Sequence, residues 1–185
     1  MDDDWKSLIN ETTDEIKKLP AEKSARKKEF AEILAQVKTI FDNVIIPTLN
    51  ELKVELDKHN TPASVNGNAN PISNRVRRRA SITVNLSSLL RDANKDRTPS
   101  APYPKFFYDI CIEASVYGAA VHIKCYVEDT KGRIHDLLHA KNSPLDLIEV
   151  MSGAIADLTS DNIKQDFGLK YKDSVGSLRS SHVYE

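Results

Sequence analysis

The fold is decided by residues 106–128, which read FFYDICIEASVYGAAVHIKCYVE. Apolar and polar residues alternate over 106–113 and again over 121–128, which is the period of a half-buried strand. Gly118 lies between the two runs, in a connection short enough for a hairpin. Residues 81–86 alternate in the same way, and a turn at 129–132 leads to a short run at 133–135. The pattern predicts a three- or four-stranded antiparallel sheet with one polar face.

A long helix is predicted before this sheet. Residues 3–59 contain no glycine and are rich in Glu, Lys, Ala and Leu. Pro20 predicts an interruption, with a second helix from about Ala21, because proline suits the first turn of a helix. Pro47 is followed by a shift of the apolar stripe by one position, which predicts a kink.

Helices are also predicted after the sheet, where they would cover its apolar face. A short helix is expected from Ser160 to Phe167, ended by Gly168. A longer helix before it would present an apolar face at helical spacing. Its residues are Leu145, Ile148, Met151, Ile155 and Leu158.

The expected fold class is α+β: a long N-terminal helical, coiled-coil-like arm followed by a small antiparallel sheet covered by a C-terminal helix or helices. Four segments are predicted: a helical oligomerisation arm (1–59), a basic linker (60–80), a domain of antiparallel sheet plus helix (81–171) and a tail (172–185). The linker is predicted because Asn, Pro, Ser and Gly dominate residues 60–76 and periodicity vanishes there.

Composition excludes several classes of protein. The 185 residues carry 26 basic and 27 acidic side chains, and no apolar run is long enough to span a membrane. Two cysteines are too few for a disulfide scaffold, and the alternation places Cys111 and Cys125 on opposite faces. The acidic start, MDDDWKSL, is unlike a signal peptide. The expected location is the cytoplasm, with no membrane partner.

An apolar stripe in the helical arm predicts self-association. Its spacing is that of a heptad seam. A straight arm of this length would reach about 85 Å, whereas a head of about 100 residues has a radius of gyration near 13 Å. The stripe is therefore expected to pair chains as a dimer or higher oligomer; in the alternative, the arm folds back at Pro20 in a monomer. The stripe consists of Phe30, Leu34, Val37, Phe41 and Val44.

A basic cluster precedes the first predicted strand and consists of Arg75, Arg77, Arg78 and Arg79. Guanidinium groups match phosphate oxygens, so the cluster is a candidate phosphate- or nucleic-acid-binding site. No zinc finger, RRM signature or KH loop accompanies it. The alternative is that the charges protect an exposed edge strand from aggregation.

Three histidines form a candidate metal site. His135 and His139 have the His-x-x-x-His spacing of a zinc helix, and the run resembles the metalloprotease pattern HExxH with Asp136 in place of Glu. If residues 133–139 are instead a strand after a four-residue turn, paired residue numbers sum to 261. Tyr126 then faces His135, and His122 faces His139. The remaining alternative is ordinary surface histidines.

The sequence favours a non-enzymatic, oligomeric interaction protein whose arm assembles it and whose head presents a surface to an unidentified protein partner. No CxxC, glycine-rich phosphate loop or nucleophile elbow occurs. The alternative is a phosphate- or nucleic-acid-binding module that uses the arginine cluster. A third hypothesis is a zinc-dependent hydrolase that uses His135 and His139; otherwise no cofactor is expected.

Overall fold

The computed structural model describes residues 4–72, 75–87, 103–115, 117–129, 132–136, 155 and 158–181. Within them the chain forms three α-helices, a π turn and five strands, so the α+β class is confirmed. The helices are α1 (Asp4–Ile40), α2 (Ile46–Lys58) and α3 (Ser160–Ser181), and the π turn spans Phe41–Ile45 between α1 and α2. No helix in this part of the chain is long and apolar enough to cross a membrane.

The sheet is an antiparallel meander in the order β1-β2-β3-β4-β5. Its strands are β1 (Ala63–Ile72), β2 (Arg75–Asn85), β3 (Lys105–Ser115), β4 (Gly118–Glu128) and β5 (Ile134–Asp136). One face, the covered face, packs against the helices, and the other is called the open face. The predicted antiparallel hairpin is confirmed: Ile110 pairs with Ile123, and Ser115 pairs with Gly118.

The linker prediction for residues 60–76 is wrong, because β1 and the start of β2 occupy most of this stretch. The alternation in β1 is weak because its covered-face residues are small. A Cβ added to Gly67 would lie 2.9 Å from Cδ1 of Ile46, so the missing side chain lets α2 approach the sheet closely. Composition rich in Asn and Ser thus concealed a strand whose helix-facing residues are small for packing reasons.

The predicted interruption at Pro20 is also wrong, since α1 runs unbroken from Asp4 to Ile40. Proline removes one helical hydrogen bond and crowds the carbonyl four residues earlier. The neighbouring side chains Lys17, Lys18 and Leu19 are exposed, so water can solvate that carbonyl. The helix therefore passes through proline without a break.

The shift of the apolar stripe near Pro47 has a counterpart in the structure. The π turn at Phe41–Ile45 lies directly before it, and α2 continues with proline in its first turn. A π turn takes one more residue than an α turn, which accounts for the one-position shift of the stripe. As a result four large side chains face the sheet and are buried: Val37, Phe41, Ile45 and Leu49.

The C-terminal helix is longer than predicted. Neither Gly168 nor the predicted tail ends it, because α3 extends to Ser181. Phe167, Tyr171 and Leu178 lie on one face and join the core, and this packing favours helix over the glycine preference. Thr159, not Ser160, caps the helix by accepting a hydrogen bond from the backbone N–H of Asn162 at 3.2 Å. The helix predicted at 144–158 lies outside the described residues, apart from the buried Ile155 and Leu158.

A polar cluster is buried between α3 and the sheet. The Tyr108 hydroxyl donates to Oδ2 of Asp166 at 2.5 Å, and the ammonium of Lys170 lies 3.0 Å from Oδ1 of the same carboxylate. Asp166 and Lys170 are 0% and 3% exposed, one helical turn apart. A charge pair at this depth fixes the helix in one position on the sheet, because either charge alone would be costly to bury.

Replacing Asp166 by alanine should therefore lower the free energy of unfolding by about 3–5 kcal/mol, since Lys170 and Tyr108 both lose a buried acceptor. The matched control is Asp173→Ala, on the exposed side of α3, which should change it by no more than about 0.5 kcal/mol. Urea denaturation measures both. Equal effects of the two substitutions would contradict a structural role for the buried pair.

Candidate binding surface

The arginine cluster is divided by the pleat of β2. Successive strand residues point to opposite faces, so Arg77 and Arg79 lie on the open face and Arg78 on the covered face. Arg78 lies 3.4 Å from Oδ1 of Asp42, and its guanidinium lies 5.5 Å from the centre of the Phe41 ring. The four arginines therefore do not form one phosphate site. Nor do they protect an edge, because β2 is paired on both sides.

The open face contains a groove of about 510 Å³. Polar and charged side chains from β1 to β4 line it, and most of them are exposed or half-buried. The lining residues are Asn68, Arg77, Arg79, Asp109, Cys111, Glu113, His122 and Lys124. Only two members of the predicted arginine cluster and one of the predicted histidines are among them.

Two ion pairs cross between β2 and β3 in this groove. Arg79 pairs with Asp109, which is only 4% exposed, and Arg77 pairs with the more exposed Glu113. The hydrogen bond from Arg79 to the Asp109 carboxylate raises the pKa of the guanidinium further above its already high value. Both arginines are thus partly neutralised, and Arg79 is fixed in place by a buried acceptor.

An aromatic pair lies beside the groove. Phe107 and Tyr126 are direct partners on β3 and β4, and their rings stack with centroids 4.5 Å apart and planes within 11°. Partial burial raises the pKa of the Tyr126 hydroxyl. The strand pattern placed both residues on the polar face, but only the register shows that they meet. Two aromatic residues at polar positions of adjacent strands were the available signal for this feature.

Cys111 and His122 are also direct partners across β3 and β4, and both line the groove. A thiol beside an imidazole resembles the start of a nucleophilic dyad. However, burial raises the pKa of the Cys111 thiol, whereas a nucleophilic cysteine needs a lowered pKa. Cys125 is buried on the covered face, so the two free cysteines lie on opposite faces as predicted.

The metal prediction is not supported by the local geometry. His135 belongs to strand β5 and not to a zinc helix, while His139 lies outside the described residues. Among the residues that the structure does describe, no three His, Cys, Asp or Glu side chains are grouped to hold a metal ion. His122 lies exposed on the open face.

The predicted register between β4 and β5 is wrong by one residue. His135 pairs with Val127, and Tyr126 pairs with Asp136. The turn is one residue shorter than assumed, since Asp129 and Arg133 already form a hydrogen-bonded pair and Gly132 has a φ of 73°. Three residues lie between this pair, which is a common hairpin with glycine in the left-handed region. A slip of one residue exchanges the two faces.

The predicted oligomerisation stripe packs, in part, within its own chain. Val37 and Phe41 are buried in the core, while Phe30, Leu34 and Val44 are half-buried and packed against it. The helix meets β3 and β4 along this segment. The N-terminal part of α1 is not packed in this way: every side chain described between Thr12 and Glu29 is exposed, and Leu19 is 48% exposed.

Arg79→Gln should destabilise the fold by about 1–3 kcal/mol, because it leaves the buried Asp109 carboxylate without its charged donor. Arg77→Gln is the matched control. Its partner Glu113 is more exposed to water than Asp109. The free energy of unfolding should therefore change by no more than about 0.5 kcal/mol. Urea unfolding of the two variants compares them directly. A larger loss of stability in Arg77→Gln than in Arg79→Gln would show that the burial of Asp109 does not determine which ion pair stabilises this face more.

Alkylation of Cys111 by iodoacetamide should be slower near neutral pH than that of glutathione. The thiolate is the reactive form, and a raised pKa reduces its fraction. The rate should keep rising about tenfold per pH unit to about pH 8.5, the ordinary cysteine pKa. Mass spectrometry locates the adduct, and Cys111→Ser gives the background from Cys125. A rate that levels off below about pH 8 would instead reveal a thiolate activated by His122.

Neither protein-family models nor curated proteins nor solved structures give a match to this chain. The exposed N-terminal part of α1 and the open face of the sheet are the features of this structure that bear on its function.

Proposed function

We propose that this protein is a non-enzymatic assembly protein. In this proposal the N-terminal part of α1, residues 4–29, here called the arm, pairs with the arm of a second copy, and the open face is presented to a further partner. The observation that carries it is the exposure of the arm: a helix of about 26 residues, about 39 Å long, with every described side chain from Thr12 to Glu29 in solvent. Helices in water gain most of their stability from packing an apolar face.

The continuity of α1 supports pairing through one face. At 100° per residue, the large apolar residues of the arm, together with Thr12, fall within an arc of about 100° that also contains Phe30, Leu34 and Val37. The face of α1 that packs on the sheet therefore continues beyond the edge of the sheet, where no described residue covers it. The arm positions on this side are Trp5, Leu8, Ile9, Thr12, Ile16 and Leu19.

The charge distribution of the arm favours an antiparallel pair. Residues 2–11 contain four acidic side chains and one basic, whereas residues 17–28 contain six basic and one acidic. A parallel pair would bring like charges together, but an antiparallel pair opposes the acidic and basic segments. A register that places Ile9 opposite Leu19 and Thr12 opposite Ile16 aligns the middle of the stripe, and it places Trp5 opposite Lys23. Apolar burial and charge therefore favour the same arrangement.

Leu19→Glu should convert the dimer to a monomer, because it places a charge in the proposed seam while leaving the fold of one chain intact. Val54→Glu is the matched control, since Val54 is a similarly exposed apolar side chain on α2. Size exclusion with light scattering gives the mass of each. Substitutions at Val37 or Phe41 are unsuitable for this purpose, because these residues also belong to the core of the single chain.

The antiparallel arrangement has its own test within this prediction. One variant carries Lys23→Glu with Arg26→Glu, and the other carries Asp2→Lys with Asp4→Lys. Each alone should associate more weakly than the natural chain, while an equimolar mixture should form heterodimers. A monomeric natural chain would refute the assembly proposal, and variants that ignore one another would refute the antiparallel pairing.

A further inference from the structure

Small hydroxyl side chains lie next to the aromatic pair on the open face. Strand pairing aligns Ser64, Thr83, Phe107 and Tyr126 in one row across β1 to β4. Side chains directly opposite on adjacent strands have Cβ atoms about 5 Å apart, so the row is continuous. Ser64 and Thr83 are small hydroxyl residues, which leave room on the β2 side of Phe107. A planar ring resting above Thr83 would extend the Phe107–Tyr126 stack by one layer.

Positive charge adjoins this row. Lys124 lies two positions before Tyr126 on β4, about 7 Å along the strand. It is exposed and has no ion-pair partner among the described residues. The side chains of Arg77 and Arg79 are 52% and 56% exposed although each is paired with a carboxylate. A guanidinium has five N–H donors, and each arginine donates one hydrogen bond to its carboxylate. Donors therefore remain for a phosphate oxygen.

The β1 side of the open face supplies uncharged hydrogen-bonding groups. Asn66 and Asn68 are exposed there, and Ser81 is the register partner of Asn66 on β2. Amide and hydroxyl groups both donate to and accept from the edges of nucleic-acid bases. The face thus offers, within adjoining rows, a stacking ring, polar groups for a base edge and cations for a backbone.

We infer that the open face binds single-stranded nucleic acid, with a base stacked on Phe107 and the backbone phosphates held by Lys124, Arg77 and Arg79. Antiparallel sheets bind single strands in this way, because the bases of a single strand are free to stack on aromatic side chains. A ligand recognised by charge alone, such as a phosphopeptide, fits less well, since Asp109 and Glu113 partly neutralise both arginines. The inference does not depend on pairing of the arms.

Fluorescence anisotropy of the full-length protein with fluorescein-labelled U12 RNA and dT12 DNA tests this inference. Binding should weaken roughly three- to twentyfold when salt rises from about 50 to about 200 mM, as expected for one to three phosphate contacts. Phe107→Leu should weaken binding at least about fivefold by removing the stacking surface. Lys124→Gln should weaken it and reduce the slope of log affinity against log salt by about 0.7.

The matched control is Lys172→Gln, an exposed lysine on α3, which should leave binding unchanged. Thermal unfolding of every variant shows that the fold is retained, and the exposed Lys124 keeps the test valid if Phe107→Leu is destabilised. Failure of both oligonucleotides to bind at about 50 mM salt would overturn the inference. The inference would also be overturned if heparin or a doubly phosphorylated peptide displaced the labelled oligonucleotide as well as unlabelled U12 does, because neither competitor contains a base to stack.

Discussion

The packing of the N-terminal helix across the sheet is the constraint on which the rest of the structure depends. Val37, Phe41, Ile45 and Leu49 are spaced four residues apart and are all buried. In a uniform α-helix such residues would drift by about 40° at each step and leave the sheet. The π turn at Phe41–Ile45, set immediately before Pro47, takes up the extra residue and keeps the four side chains in line. One irregular turn therefore lets a single continuous helix cover β1 to β4.

The two faces of the sheet handle charge in different ways. On the covered face, Arg78 and Asp42 lie at the margin of the helix layer, and deeper in the core Lys170 is buried with Asp166. On the open face, the buried carboxylate of Asp109 fixes Arg79 while leaving much of that side chain in solvent. A charged group fixed in this way loses little conformational entropy when it meets a ligand. The ion pairs that reduce the net charge of the open face thus also organise it.

Much of the fold follows from periodicity, and the errors have physical causes. The strands with bulky covered-face residues, such as Ile110 and Ile112 in β3, were evident because burial enforces alternation. Strand β1 was not evident, because the close approach of α2 favours Gly67 and other small residues on its covered face. Small residues do not produce a visible alternation of bulky apolar and polar side chains. Local preference predicts helix ends at Gly168 and Pro20, but tertiary packing and solvation outweigh it.

The site was harder to predict because it is defined by register. Proximity in sequence makes the four arginines look like one cluster ahead of the first predicted strand, but the pleat of β2 separates Arg78 from Arg77 and Arg79. The Phe107–Tyr126 stack and the Cys111–His122 pair exist only because β3 and β4 align in one particular register. Hairpin length sets that register. One residue miscounted in the turn after Asp129 was enough to place His135 opposite the wrong neighbour.

The two proposals have a joint consequence for geometry. In an antiparallel pair with Ile9 opposite Leu19, the two copies of Phe30 lie about 48 Å apart along the helix axis, since 32 residue steps of about 1.5 Å separate them. Compact heads with a radius of gyration near 13 Å then lie at opposite ends without contact. A single-stranded nucleic acid long enough to reach both open faces would be held by two weak, salt-sensitive sites. Its second contact would form at high effective concentration. Two weakly binding sheet surfaces can in this way support stable binding. The length of the arm sets the minimum length of nucleic acid that can contact both surfaces.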